Sequence, residues 1–99
     1  MKRKLNSAKI IEEIEKNKEK IKKNHVKKIG LFGSFVKNKQ SKKSDIDIIV
    51  EFDKITFDNY MDLKFMLEEM FRKKVDLIIE KNLKPALSYV KKEAKYAKL

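Results

Sequence analysis

The octapeptide DIDIIVEF, Asp45–Phe52, sets the strongest constraint on the fold of this chain. Residues two apart on a β-strand share a face, so Ile46, Ile48 and Val50 point one way and Asp45, Asp47 and Ile49 the other. One strand cannot stand alone and needs partners. Val26–Phe32 (VKKIGLF) is apolar, reads as a second strand and stops at Gly33; Val75–Ile79 (VDLII) reads as a third. Helical periodicity fills the spaces between them. From Ser7 to about Lys23, Ile10, Ile11, Ile14 and Ile21 recur near helical spacing, with Ser7 as the expected N-cap and Asn24 as the stop. From Thr56 to Arg72, Phe57, Tyr60, Met61, Leu63, Met66, Leu67, Met70 and Phe71 follow the same period. Pro85 fits the first turn of a last helix, on which Leu87, Val90, Ala94 and Ala97 form an apolar stripe. Ser34–Ser44 is polar, with one helical turn expected at its start. The predicted order is α-β-(short α)-β-α-β-α, an α/β or α+β sheet covered by helices.

Ninety-nine residues suffice for one domain, 1–99, and one modest core. Hydrophobic and charged residues each make up 41%, which excludes a disordered tail or a collagen-like chain. No apolar run approaches the roughly 18–20 residues of a membrane-spanning helix. The start, MKRKLNSAKIIEEIEK, is basic but lacks the continuous apolar stretch of a signal peptide, and there are no cysteines to form disulfides or thiolate metal sites. A soluble, cytoplasmic protein is expected.

The net charge is +11, and residues 1–43 carry all of it: 15 Lys/Arg against 4 Asp/Glu there, 11 of each in residues 44–99. Such a basic half raises the possibility of a polyanion partner. The basic residues are nearly all lysine, which lacks the planar fork of arginine, and no aromatic residues are interleaved with the early lysines as a stacking platform. Nucleic-acid binding is therefore not expected; the basic N-terminal helix either docks an acidic protein face or is simply solvated, and the two readings stand level. His25 follows a helix end and reads as a cap or surface residue. Tyr89 and Tyr96 read as packing or surface residues, with self-modification as the lesser alternative.

Three carboxylates carry the chemistry. Asp45 and Asp47 share one strand face and could clasp a cation together; Mg²⁺ prefers oxygen ligands and usually takes one or two carboxylates plus substrate phosphates. Asp76 interrupts VDLII, where a carboxylate needs a partner or incurs a desolvation penalty. Arg72, Lys73 or Lys74 could pair with it. If its strand lies beside that of the other two acids, all three could surround one metal cluster. Gly33–Ser34, at a strand end and before a helical turn, offers close backbone approach plus a hydroxyl and an amide to a phosphate.

Taken in order, the run LFGSFVKNKQSKKSDIDIIVEF (Leu31–Phe52) resembles the GS-x10-DxD signature of the minimal nucleotidyltransferases, in the DNA polymerase beta superfamily. MDLKFMLEEMFRKKVDLI (Met61–Ile78) and LKPAL (Leu83–Leu87) are similar to the same family, and the resemblance spans roughly residues 25–97. It implies a polymerase-beta-like fold, a small mixed sheet with packed helices, in which 1–24 is an N-terminal helix and 25–99 the catalytic core. By that resemblance Gly33, Ser34 and Lys37 hold the nucleotide phosphates, and Asp45, Asp47 and Asp76 are the catalytic Mg²⁺ ligands. Lys37 stands where the family often has arginine, and Asn38 where it often has glycine, asparagine being tolerant of a left-handed turn. The expected mechanism uses two Mg²⁺ ions about 3.5–4 Å apart. All three aspartates would hold the ion that activates an acceptor hydroxyl; Asp45 and Asp47 would hold the one that clamps the ATP triphosphate. The resemblance further implies an antitoxin that adds AMP to a tyrosine of a HEPN-domain ribonuclease toxin. Neutralisation of that partner by contact alone, and transfer to a small-molecule acceptor, remain the alternatives. The apolar face of the Thr56–Arg72 helix suits both core packing and a partner surface.

Overall fold

In the computed structural model, which describes residues 5–41 and 43–99, four strands form one mixed sheet in the order β3-β2-β1-β4. The basic start Met1–Lys4, together with Lys42, lies outside the described residues. Strands β1 (Val26–Phe32), β2 (Ile46–Phe52) and β3 (Val75–Ile79) cover the predicted segments, Asp45 standing just outside β2. β1 and β2 run antiparallel. β2 and β3 run parallel, joined by the crossover helix α3 (Phe57–Phe71). A parallel pair requires such a crossover, and the helix returns the chain across one face of the sheet.

Strand alternation decides what that face buries. Ile46, Ile48 and Val50 are almost wholly inaccessible and cluster with Ile29 and Leu31 of β1 and with Leu63, Leu67 and Phe71 of α3. Thr56 caps α3, its hydroxyl accepting from the Asn59 amide at 3.0 Å. Arg72 ends it in the left-handed conformation at φ 53°. Each fully buried leucine of this set contributes about 1.5–3 kcal/mol. Tyr60, Met66 and Met70 pack against the cluster from its edge, so most of the predicted stripe is core. Phe57 is the exception at 77% exposed, and Phe65, outside the stripe, is 57% exposed.

Two predicted helices differ. The single N-terminal helix is two: α1 (Ser7–Lys16) and α2 (Lys18–Lys23), separated at Asn17. The Asn17 side chain turns back to donate to the Glu13 carbonyl at 2.9 Å, the backbone competition to which asparagine is prone. Ile10, Ile14 and Ile21 are nonetheless fully buried. The N-cap is Asn6, whose Oδ1 accepts from the Lys9 amide at 2.9 Å; Ser7 is instead the first, buried helical residue. His25 has the cap role expected of it, at φ 63° with its amide donating to the Lys22 carbonyl.

The last helix is replaced by a 3-10 turn (Pro85–Leu87), a five-residue helix α4 (Tyr89–Glu93) and a short strand β4 (Lys95–Tyr96). Of its predicted stripe only Val90 is buried, and Ala97 donates its amide to Ile29 at 3.0 Å rather than lying on a helix. The cause is the outer edge of β1, whose N–H and C=O groups need partners. β4 provides them, antiparallel, with Tyr96 opposite Gly30. No helix among the described residues is long and apolar enough to cross a membrane.

Candidate active site

β1 ends at Gly33, which adopts φ +76°, a region open to glycine at little cost. The chain then coils through a 3-10 turn, Gly33–Phe35, with the Val36 and Lys37 amides donating to the Gly33 carbonyl at 3.1 and 3.2 Å. Phe35 is buried and anchors the turn in the core. Three residues on, Asn38 takes φ 56°, the left-handed turn expected of it.

Glycine at 33 has a second reason. A Cβ there would overlap the Asp47 carboxylate, so the backbone passes the acid at a distance that only glycine permits. Register explains this proximity. Asp47 lies opposite Phe32, the last residue of β1, and on its other side beside Asp76 of β3. The two acids therefore share one rung and one face of the sheet, with Gly33 at its margin.

Asp47 is half-buried, whereas Asp45 and Asp76 are exposed. Burial raises the Asp47 carboxyl above its ordinary value, and the charges of Asp76 and then Asp45 push it the same way. Both other predicted acids are thus within electrostatic reach of Asp47. Asp76 avoids the expected desolvation penalty because its side chain reaches solvent. Among the described residues, no three His, Cys, Asp or Glu side chains close on a point as a finished metal cage. The donors are all carboxylate oxygens bearing mutually repelling charge. That set fits Mg²⁺, which completes its octahedron with water and substrate phosphates.

Ser34 sits within the 3-10 turn, partly exposed, its carbonyl accepting from the Lys39 amide at 2.9 Å. Lys37 is exposed on the same loop, its Nζ 3.6 Å from Glu93 Oε2 on α4. Sequence reasoning missed Glu93, and no motif or spacing marks it; only the fold of the C-terminal segment over the sheet brings it to the loop.

On the same face, Tyr96 lies against Gly30, where a Cβ would come within 2.8 Å of its ring. Its hydroxyl donates to Glu80 Oε1 at 3.0 Å, and Lys28 Nζ lies 4.2 Å above the ring. Burial and the Glu80 carboxylate push this phenol up to about 12.

Known proteins are similar to this chain in sequence and fold. A candidate protein adenylyltransferase of Methanocaldococcus jannaschii is 46% identical over 70 residues, 68% of each chain. Among solved structures, a candidate minimal nucleotidyltransferase matches at a TM-score of 0.79 and 25% identity, over 92% of this chain and 95% of that one. A chain from a toxin–antitoxin complex with AMP-PNP matches at a TM-score of 0.67 and 27% identity, over 93% of this chain and 72% of that one. The polymerase beta nucleotidyltransferase domain model matches residues 8–95, nearly the whole sequence. With the glycine-serine turn, the paired aspartates and the mixed sheet all in register, this chain belongs to the polymerase beta nucleotidyltransferase family.

Proposed function

We propose that this chain is a Mg²⁺-dependent protein adenylyltransferase. It moves AMP from ATP to a tyrosine hydroxyl of a HEPN-domain ribonuclease toxin and so acts as its antitoxin. The observation that carries this is the carboxylate pair Asp47 and Asp76 on one rung, with Asp45 coupled to it and the Gly33 backbone against Asp47.

Asp45, Asp47 and Asp76 would hold the metal, two ions in all, with Asp45 and Asp47 common to both. When bound, Mg²⁺ neutralises triphosphate charge and makes an acceptor hydroxyl more acidic. The protein's own contribution is placement. Gly33 keeps the backbone low enough for phosphates to approach, Ser34 offers a hydroxyl and an amide, and Lys37 exchanges Glu93 for phosphate oxygens. Burial first and then repulsion from Asp76 and Asp45 raise Asp47; a cation held here would relieve the repulsion, which favours binding at this rung. Catalysis by such a site is positioning and charge neutralisation more than covalent chemistry.

The adenylyltransferase relative and the AMP-PNP-bound toxin–antitoxin neighbour support ATP as substrate and a toxin as acceptor. Residues 1–99 would form one catalytic domain, with 1–24 as its N-terminal helical part and 25–99 as its core, working in the cytoplasm. The test is intact mass of the co-expressed HEPN partner after incubation with Mg-ATP. The control is the Asp45→Asn, Asp47→Asn double variant. One or more added AMP units, absent from the control, are expected. A stable complex with no adduct would replace transfer with neutralisation by contact.

A further inference from the structure

The short helix α4 lies with its two flanks toward opposite ends of β2. Val90 is its buried residue. Lys91 lines a cleft with Glu51, Phe52, Ile79 and Glu80, at the far end of the strand from Asp47. Glu93 reaches the other way, to Lys37 of the loop that follows Gly33 and Ser34. At 3.6 residues per turn, Tyr89 stands about 40° from Glu93 around the axis and about 160° from Lys91. Tyr89 therefore belongs to the flank that faces the phosphate loop.

The chain has three tyrosines, and they are not equally available. The Tyr60 hydroxyl donates to the Leu77 carbonyl at 2.6 Å and is partly buried. The Tyr96 hydroxyl donates to Glu80. Tyr89 is 50% exposed, and its hydroxyl has no protein partner among the described residues.

From this geometry we infer that Tyr89 is itself an adenylylation site: the enzyme modifies its own α4 at this hydroxyl. The inference rests on the adenylyltransferase activity proposed above. In the step, Tyr89 Oη attacks the α-phosphorus of ATP. The new O–P bond forms as the bond from that phosphorus to the α–β bridging oxygen breaks. Pyrophosphate leaves, and the phenolic proton passes to solvent. The product is a phosphodiester bearing one negative charge, on the same flank as Glu93, which pairs with Lys37. Modification would therefore also place a tethered nucleotide at the entrance to the site and limit further turnover.

The experiment incubates the purified chain with Mg-ATP alone, and in a parallel tube with the HEPN partner, followed by intact mass and peptide mapping. One added AMP per chain, mapped to Tyr89, is expected. It should be lost in Tyr89→Phe and in the Asp45→Asn, Asp47→Asn double variant. Because Tyr89 is exposed, its replacement by phenylalanine leaves the fold intact, which a thermal melt verifies. A modified partner beside an unmodified enzyme overturns the inference, as does an adduct mapped to any other residue. If neither protein gains mass, the adenylyltransferase activity itself fails, and Tyr89 modification falls with it.

Discussion

Asp47 and Asp76 occupy the same rung of the parallel β2–β3 pair, two acids side by side on one face of the sheet. The partial burial of Asp47, and after it the repulsion between the two, raises the Asp47 carboxyl in the folded protein. A raised folded value means that the folded state binds the proton more tightly than the unfolded state does. The associated stability is therefore present below the ordinary carboxyl value and lost as pH rises through the folded value. At neutral pH the acid is a burden on the fold. Asp47→Asn should raise the melting temperature by a few degrees at pH 7, with the gain fading on acidification, and reduce AMP transfer at least 100-fold. Thermal melts across pH, alongside the mass assay, check both parts.

Gly33 is predicted to tolerate no side chain. In Gly33→Ala the methyl group meets the Asp47 carboxylate, and the left-handed backbone adds about 1–2 kcal/mol of strain. Melting should fall by roughly 4–8 °C per kcal/mol for a domain of this size, and transfer should fall with it. Asn38→Ala, at φ 56° but away from the aspartates, should incur the strain alone and retain most activity. Comparison of the two variants by melting and by initial rate separates backbone cost from damage to the site.

Tyr96 gives an alkaline signature. Its phenol titrates at about 12 in the folded chain, against an ordinary value near 10. Stability tied to its protonated form is intact below the ordinary value and is lost as pH rises through the folded one. An ultraviolet tyrosinate titration should show a late step, and Tyr96→Phe should remove it. The same variant should speed amide exchange at Ala97, whose N–H donates to Ile29 beside it.

Helix α3 presents two kinds of apolar residue, and substitution should tell them apart. Leu67→Ala, fully buried, should cost about 2–5 kcal/mol. Phe65→Ser, more than half exposed, should change stability by no more than about 0.5 kcal/mol. Denaturant unfolding of the isolated protein checks both values.

The strands and the acids were legible because each rests on a local signal: period-two alternation in DIDIIVEF, a glycine at a strand end, a charge inside VDLII. Residues that must satisfy a distant edge were not. Lys95 and Tyr96 follow a helical pattern in the sequence, yet they pair with β1 because its outer edge is otherwise bare. The Lys37–Glu93 contact is likewise set by how the C-terminal segment crosses the sheet, and its spacing carries no periodicity. At Asn17, one side-chain amide outweighed a helical repeat that runs on either side of it. The rung shared by Asp47 and Asp76 lay between these extremes, because each acid was visible but their pairing depended on strand order.

β2 pairs antiparallel on one side and parallel on the other, and Asp47 lies in the part shared by both. A slip of β2 by one residue against its neighbours would turn every side chain to the opposite face. Ile46, Ile48 and Val50 would leave the core, and the Asp47 carboxylate would enter it without a partner. Asp47, assigned to chemistry, thus also guards the alignment of the chain while it folds, because a misaligned β2 must bury a charge that the correct one keeps at the water's edge.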